Sequence, residues 1–400
     1  MIRNYSKEIL RILKITNQMI KYFSLLLLII GLLIGCNSKE NSRLLTKKEV
    51  LEITPKDSVR FSFTFLGCNR VDRHQQHDTV VTNGSTANLE PLKRIWKEIA
   101  KLERKPNLFF FLGDMVLAES TTGNLENQLK AWNKLYNNKD FSAISDSGIE
   151  MVAIPGNHEM LYWHDYNVPN HDEWPLEGAT QIWMNQMRDY MPDDRDHVIG
   201  LDSINNQMTF SFVRENIGFV LMNTDTYNAS TKENPYGLEG QIPTPWIVNK
   251  VTEYQENPAI EHVFVLGHKP YYVSGKPETG HAGIPDGPVL WPKLKENRVV
   301  AMLSAHLHDY QRMQPGGEGT YQIIAGNSGS PGSATFFGYS KIDMMTDGRI
   351  KLTSIGFDKG DPYYKPMPHS PFTIRDQTDL TWSKNKNPYV DYLLKPNATK

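Results

Sequence analysis

Short apolar runs recur along this chain, and several end in a polar motif flanked by glycine. Leu108–Leu112 leads into Gly113-Asp114, Met151–Ile154 into Gly156-Asn157-His158-Glu159, His262–Leu266 into Gly267-His268, and Val299–Ser304 into His306-Leu307-His308. Runs of this length bounded by turn residues predict buried β-strands. Val59–Leu66 alternates Phe61, Phe63 and Phe65 with polar residues, the period of a first strand. Residues 88–102 place Leu89, Leu92, Ile95, Trp96 and Ile99 at helical spacing, with Asn88 positioned as a cap. Further helices are predicted over Leu125–Tyr136, near Thr180–Tyr190, over Trp246–Tyr254 behind Pro243-Thr244-Pro245, and near Leu290–Glu296. Gln207–Val213 and Gly218–Met222 flank Glu215-Asn216 as a hairpin, and Tyr321–Ile324, Ala334–Ile342 and Arg349–Ile355 read as later strands. Helices separate the early strands and hairpins join the late ones, which predicts an α/β protein with mixed sheets. Outside its helix, Leu161–Asp202 is rich in Trp, Tyr, Asn, His and Pro and reads as an extended loop region.

Strands that end together in one sheet deliver their terminal side chains to one place. An Asp, an Asn and several His gathered there form the ligand set of a metal centre. In an extended segment residues i and i+2 share a side, so His306 and His308 are expected to face one pocket. Alone, that pair reads first as two surface histidines; its company reverses the reading. Asp114 projects a carboxylate whose two oxygens can bridge two cations, Asn157 offers a neutral carbonyl with the His158 ring beside it, and His268 follows another strand.

The chain has 400 residues, 39% hydrophobic and 22% charged, as in an ordinary globular protein. Residues 1–36 carry five basic residues and one acid; without them 38 basic residues stand against 44 acidic, a net charge of about −6. There is no basic stripe, and nucleic-acid binding is not expected. Tyr22–Gly35 is a 14-residue apolar stretch, short of the roughly 20 residues of a membrane-spanning helix. It ends in Leu33-Ile34-Gly35-Cys36, the lipobox pattern of a bacterial lipoprotein signal peptide. Cleavage before Cys36 would leave its thiol to carry lipid; a plain secretory signal or short anchor is the other reading. Met19-Ile20-Lys21 would itself open a signal peptide. The expected organisation is a signal peptide over 1–36, a polar tether over 37–58, one main domain carrying these motifs over 59–360, and a Pro- and Tyr-rich extension over 361–400 that wraps the domain or stays mobile. The expected location is the bacterial cell envelope, on the periplasmic or outer-surface side. With Cys36 acylated, Cys68 is the remaining cysteine and no intramolecular disulfide can form.

The motifs Gly113-Asp114, Gly156-Asn157-His158-Glu159, Gly267-His268 and His306-Leu307-His308 resemble those of the calcineurin-like metallophosphoesterase superfamily. Gly267–Tyr271, His306–Arg312 and Gly326-Asn327-Ser328-Gly329 are similar to its purple acid phosphatase branch. The resemblance covers roughly residues 60–357. It implies a four-layer α/β/β/α sandwich of two mixed sheets. It also implies phosphate-ester hydrolysis by a metal-activated hydroxide at a dinuclear centre of Fe, Zn or Mn. Carried over, Asp114 would bridge two metals, Asn157, His268 and His306 would complete one, and His308 would bind the other. His158 would be the acid or electrostatic partner of the leaving group, while Glu159 and Asp309 would orient histidines.

The first motif departs from the family. Most relatives carry Asp-x-His after the first strand; here Cys68 and Arg70 hold those positions. Some relatives also carry Cys there as an iron ligand, and a thiolate is a competent ligand; a buried core thiol is the alternative. Arg70 stays cationic, cannot ligate a metal in the ordinary way, and suits a grip on substrate phosphate. Leu117 stands where purple acid phosphatases carry a metal-binding Tyr. His281 is a candidate substrate contact or a solvated loop histidine; His74 and His77 read as surface residues, and Asp72 as a possible replacement ligand. Trp163, His164 and Tyr166 are candidates to line the cleft. A catalytically degenerate surface lipoprotein, using the same fold as a binding or scaffold module, is the alternative function.

Overall fold

The computed structural model describes residues 59–71, 83–139, 141–162, 174–198, 207–225, 241–360, 365–385 and 387–391. The expected signal peptide with Cys36, the expected tether, Asp72, His74, His77, Trp163, His164 and Tyr166 lie outside the described residues. Among the described residues no helix is long and apolar enough to cross a membrane.

Two large sheets form the centre. The strands of the first are β1 (Val59–Leu66), β2 (Leu108–Leu112), β3 (Glu150–Ile154), β11 (Phe336–Met345), β12 (Ile350–Asp358) and β13 (Thr373–Asp379). Their spatial order is β13-β12-β11-β1-β2-β3. The second sheet has β4 (Asp196–His197), β5 (Phe210–Arg214), β6 (Ile217–Met222), β7 (His262–Gly267), β8 (Ala301–Ser304), β9 (Tyr310–Met313), β10 (Tyr321–Ala325) and β14 (Tyr389–Asp391), ordered β14-β9-β10-β8-β7-β6-β5-β4. Pairing is parallel along β1-β2-β3 and along β6-β7-β8-β10, and antiparallel at the flanks. Both sheets are therefore mixed. The C-terminal segment contributes an edge strand to each, β13 on β12 and β14 on β9.

Side-chain alternation explains the layering. Phe63 of β1 meets Phe219 of β6 at 5.3 Å and Phe264 of β7 at 5.1 Å, and Phe110 of β2 meets Phe219 at 5.2 Å. These rings fill the space between the sheets. The next residue, Phe111, turns outward to Trp132 at 6.0 Å. Trp132 lies in α2 (Thr122–Tyr136) and stacks edge-on with Trp96 of α1 (Leu89–Ala100) at 5.7 Å. On the far side Val220, Met222, Val263 and Val265 form a separate cluster with Ile247 and Val251 of α5 (Thr244–Glu256) and Leu290 and Leu294 of α6 (Gly287–Glu296). The helices α3 (Asn157–Met160) and α4 (Ala179–Met187) lie between α2 and β4 in the chain. The result is the four-layer α/β/β/α sandwich.

Ser62 and Thr64, the polar partners of the β1 phenylalanines, are buried, because β1 is central and covered on both faces. One local expectation needs correction here. Asn88 occupies the N-cap of α1 but makes no side-chain cap. Its amide instead donates to the Gly329 carbonyl at 2.8 Å, tying the helix start to the loop between β10 and β11.

Candidate metal centre

The polar motifs sit at the carboxyl ends of the parallel strands, where ligand sites of open α/β sheets form. The loops after β1, β2, β3, β7 and β8 meet there, and backbone bonds lock them together. Gly113 carbonyl accepts from Cys68 N–H at 3.0 Å, and the Asp114 carbonyl from Asn69 and Arg70 N–H at 2.9 and 3.2 Å. Gly67 N–H donates to Ala325 across the sheets at 2.9 Å. The Gly326–Gly329 loop clamps the first motif. Ser328 Oγ donates to the Gly67 carbonyl at 2.7 Å, and Asn69 Nδ2 to the Ser328 carbonyl at 2.8 Å. Ser330 Oγ donates to the Arg70 carbonyl at 2.8 Å.

Three of the site residues, Cys68 (φ 58°), Asp114 (φ 57°) and His306 (φ 58°), adopt the left-handed backbone conformation. Non-glycine residues rarely do so outside tight turns and functional sites. The region around His306 is accordingly not extended. Leu307 N–H bonds to the Ala305 carbonyl at 2.7 Å and Asp309 N–H to the Leu307 carbonyl at 2.6 Å, two successive tight turns. His306 and His308 share the site because of this winding, not because of strand alternation.

The donor atoms converge. His268 Nε2 lies 3.0 Å from Asn157 Oδ1, 3.3 Å from Asp114 Oδ1 and 3.3 Å from His306 Nδ1; His306 Nδ1 lies 3.1 Å from Asn157 Oδ1. His268 Nδ1 is 2.7 Å from the Leu112 carbonyl. A carbonyl only accepts, so Nδ1 carries the proton, and in the neutral ring Nε2 presents a lone pair. That lone pair faces two oxygen acceptors. In a buried site such a meeting is relieved by a proton on Nε2 or by a bound cation, and neighbouring ligand atoms on one metal at ~2.0–2.2 Å are themselves ~3 Å or slightly more apart. The donor set fits a metal. Cys68, Asp114 and His268 also offer ligand atoms within 4.8 Å of one another, all three buried. His308 Nδ1 bonds to the Pro331 carbonyl, which leaves its Nε2 free to ligate by the same reasoning.

Electrostatics follow from burial. Burial would raise the Asp114 carboxyl, but the adjacent His268, His158, Arg70 and His308 outweigh it and hold the group below the usual carboxylate range. Burial and then Asp114 push the Cys68 thiol well above its ordinary value. Its thiolate therefore needs the charge of a cation to form. Burial and then the Arg70 guanidinium lower His158 well below the ordinary imidazole value, and lower His308 to about 4. Burial and then Lys269 lower His306 likewise. His158 is thus a neutral ring in the free protein, a hydrogen-bonding partner rather than a ready proton donor.

Glu159 and Asp309 have partners other than the expected histidines. The Glu159 carboxylate accepts backbone N–H groups from Asp114 (3.0 Å), Val116 (2.9 Å) and Gly156 (2.8 Å), and so holds the Asp114 loop itself. Burial, then Asp114, raises its pKa to about 7. Asp309 faces Gln311 and Asp391. Arg70 Nε lies 3.8 Å from Asp114 Oδ2, and the exposed His281 ring stands 5.0 Å from that of His306 at the rim. Two glycines make the convergence possible. A Cβ on Gly113 (φ 83°) would lie 2.5 Å from Gly156 N and 2.6 Å from His268 Nδ1; one on Gly156 would lie 2.6 Å from Asp114 N.

One feature was missed in the sequence: the fully buried pair Lys269 Nζ–Asp225 Oδ1 at 3.2 Å. Asn223-Thr224-Asp225 follows the apolar β6 as the other motifs follow their strands, and Thr224 Oγ1 accepts from Lys269 N–H at 3.3 Å. The rule of polar residues after an apolar run would have found it.

The model of the calcineurin-like phosphoesterase family matches residues 72–310. That span includes Asp114, Asn157, His158, His268, His306 and His308 and begins beyond Cys68 and Arg70. Among solved structures the chain is similar to PhoD, with a TM-score of 0.53 at 12% identity over 84% of this chain and 72% of that one. GAP50, the inner-membrane-complex anchor of Plasmodium, aligns with a TM-score of 0.46 at 14% identity over 82% of this chain and 90% of that one. A putative 5'-nucleotidase from Staphylococcus aureus aligns with a TM-score of 0.40 at 11% identity over 81% of this chain and 55% of that one. No curated protein sequence matches it. With more than half its length matched and its buried donors converging as a metal requires, the chain belongs to the calcineurin-like phosphoesterase family and is a metal-dependent phosphoesterase.

Proposed function

We propose that this protein hydrolyses phosphate esters outside the cytoplasm, tethered to the bacterial envelope through lipid on Cys36. The observation that carries the chemistry is the lone pair of His268 Nε2 facing Asn157 Oδ1 and Asp114 Oδ1. Asp114, Asn157, His268 and His306 would hold one transition-metal cation. On the family pattern Cys68, Asp114 and His308 mark the side of a second cation, where Arg70 also stands. When bound, such a cation supplies Lewis-acid chemistry, acidifying a water and neutralising charge on the phosphoryl oxygens.

The chain's own residues do the rest. Glu159 fixes the backbone that carries Asp114. The Arg70 guanidinium, 15% exposed at its side chain, offers donors to the phosphoryl oxygens. His158, whose backbone N–H donates to Asp114 Oδ1 at 3.3 Å, brings a neutral ring to the same carboxylate. An approaching phosphate dianion favours its protonation and would prepare it to serve the leaving oxygen. The envelope location rests on the lipobox at Leu33–Cys36 and on that alone.

The test is hydrolysis of paired chromogenic phosphomonoester and phosphodiester substrates by the detergent-purified chain with Mn, Zn or Fe supplied in turn. Turnover of either ester supports the reading and the preferred ester sets the substrate class. No turnover of either by folded, metal-loaded protein would overturn it.

A further inference from the structure

We infer that Arg70 takes the place of the second cation, so that this centre holds one metal beside a built-in guanidinium. The inference rests on the phosphoesterase reading of the same site. Asp114 has one oxygen for each side of the centre. Oδ1 faces His268 Nε2 at 3.3 Å and accepts from His158 N–H at 3.3 Å. Oδ2, the oxygen that a second metal would share, faces Arg70 Nε at 3.8 Å.

Arg70 is not a surface residue that happens to lean inward. Its N–H donates to the Asp114 carbonyl at 3.2 Å, its carbonyl accepts from Ser330 Oγ at 2.8 Å, and its backbone bridges to Ala87. Its charge reaches across the site, since it acts on Asp114, Cys68, His158 and His308 alike. A guanidinium has no lone pair to give a metal and does not lose its proton. A dication beside Asp114 Oδ2 would meet a fixed positive charge, with Cys68, Asp114 and His308 as its protein donors. The opposite side has Asp114, Asn157, His268 and His306 as donors, and Lys269, the cation that acts on His306, is paired there with Asp225 at 3.2 Å.

The geometry therefore assigns Arg70 two duties. It neutralises Asp114 Oδ2 permanently, and it presents to the substrate the positive charge that a second metal would otherwise present.

The experiment is metal titration of the full chain in detergent, stripped of metal and then given Mn(II) alone, with bound metal counted after desalting. Wild type is expected to retain one cation per chain. Arg70→His, which supplies a donor, is expected to retain two. Arg70→Gln, which removes the charge without adding a strong donor, is expected to take a second cation at least roughly tenfold more weakly than the first. Circular dichroism confirms that each variant is folded. Two tightly held cations in the wild type would overturn the proposal and leave the phosphoesterase reading standing. One cation in both folded variants would overturn the role given to Arg70. No cation in folded wild type, together with no ester hydrolysis, would overturn this proposal and the phosphoesterase reading together.

Discussion

Glu159 reaches across a turn to hold Asp114 by its backbone: one carboxylate oxygen accepts Asp114 N–H at 3.0 Å and Gly156 N–H at 2.8 Å, and the other accepts Val116 N–H at 2.9 Å. Glu159→Gln turns one accepting oxygen into an NH2 group that confronts a backbone donor. Each orphaned buried donor costs about 1–3 kcal/mol. The variant should melt at lower temperature than the wild type and bind metal more weakly, since the loop carrying Asp114 is loosened. An unchanged melting temperature with unchanged metal affinity would show that these bonds do not hold the site.

The close approach at Gly156 is specific enough to test by adding one methyl group. A Cβ there would sit 2.6 Å from Asp114 N and 2.7 Å from His268 Cε1, and closer still to Asp114 Oδ1. Gly156→Ala must push a ligand aside, and displaced support around metal ligands costs roughly 10- to 100-fold in affinity. Gly123, with nothing within 4 Å of its Cβ position, is the control. Isothermal titration with Mn(II) should show the loss in Gly156→Ala and none in Gly123→Ala; equal affinities would contradict the packing.

Lys359 gives a pH dependence with a definite sign. Burial lowers its ammonium from 10.5 to about 8, against the pull of Asp309, while its Nζ donates to the Gly332 carbonyl at 2.7 Å. Its folded pKa lies below the unfolded value, so the unfolded chain binds more protons between about pH 8 and pH 10.5. The residue's contribution is present above 10.5 and is lost as the pH falls through about 8. Denaturant unfolding should therefore show the wild type gaining stability relative to Lys359→Met between pH 8 and pH 10.5. Parallel pH profiles for the two proteins would exclude the depressed ammonium.

Much of this architecture was readable as strand-then-motif order. Asp114, Asn157, His268, His306 and His308 stand at the strand ends where the apolar runs placed them, because a buried parallel strand leaves a plain hydrophobic signature. What escaped was local geometry. His306 and His308 meet through two tight turns at a left-handed residue, and no periodicity encodes a positive φ at histidine. Asn88 and Glu159 carry good local signals, but their partners are Gly329, far along the chain, and the backbone of residues 114–116. Asn223-Thr224-Asp225 carried the same strand-then-motif signal and was passed over; only the pairing of Asp225 with Lys269, 44 positions on, has no spacing rule.

The most direct test of a metal-dependent phosphoesterase centred on Asp114 is ester hydrolysis and bound metal measured on the same samples of wild type and Asp114→Asn. Wild type should turn over substrate only when metal is present, and Asp114→Asn, folded by circular dichroism, should lose metal and activity together by at least about 10²-fold, the cost of about 2.7 kcal/mol of lost stabilisation. Undiminished metal-dependent turnover in Asp114→Asn, or none in folded, metal-loaded wild type, would contradict the account; the second result would favour a ligand-binding module on a phosphoesterase fold.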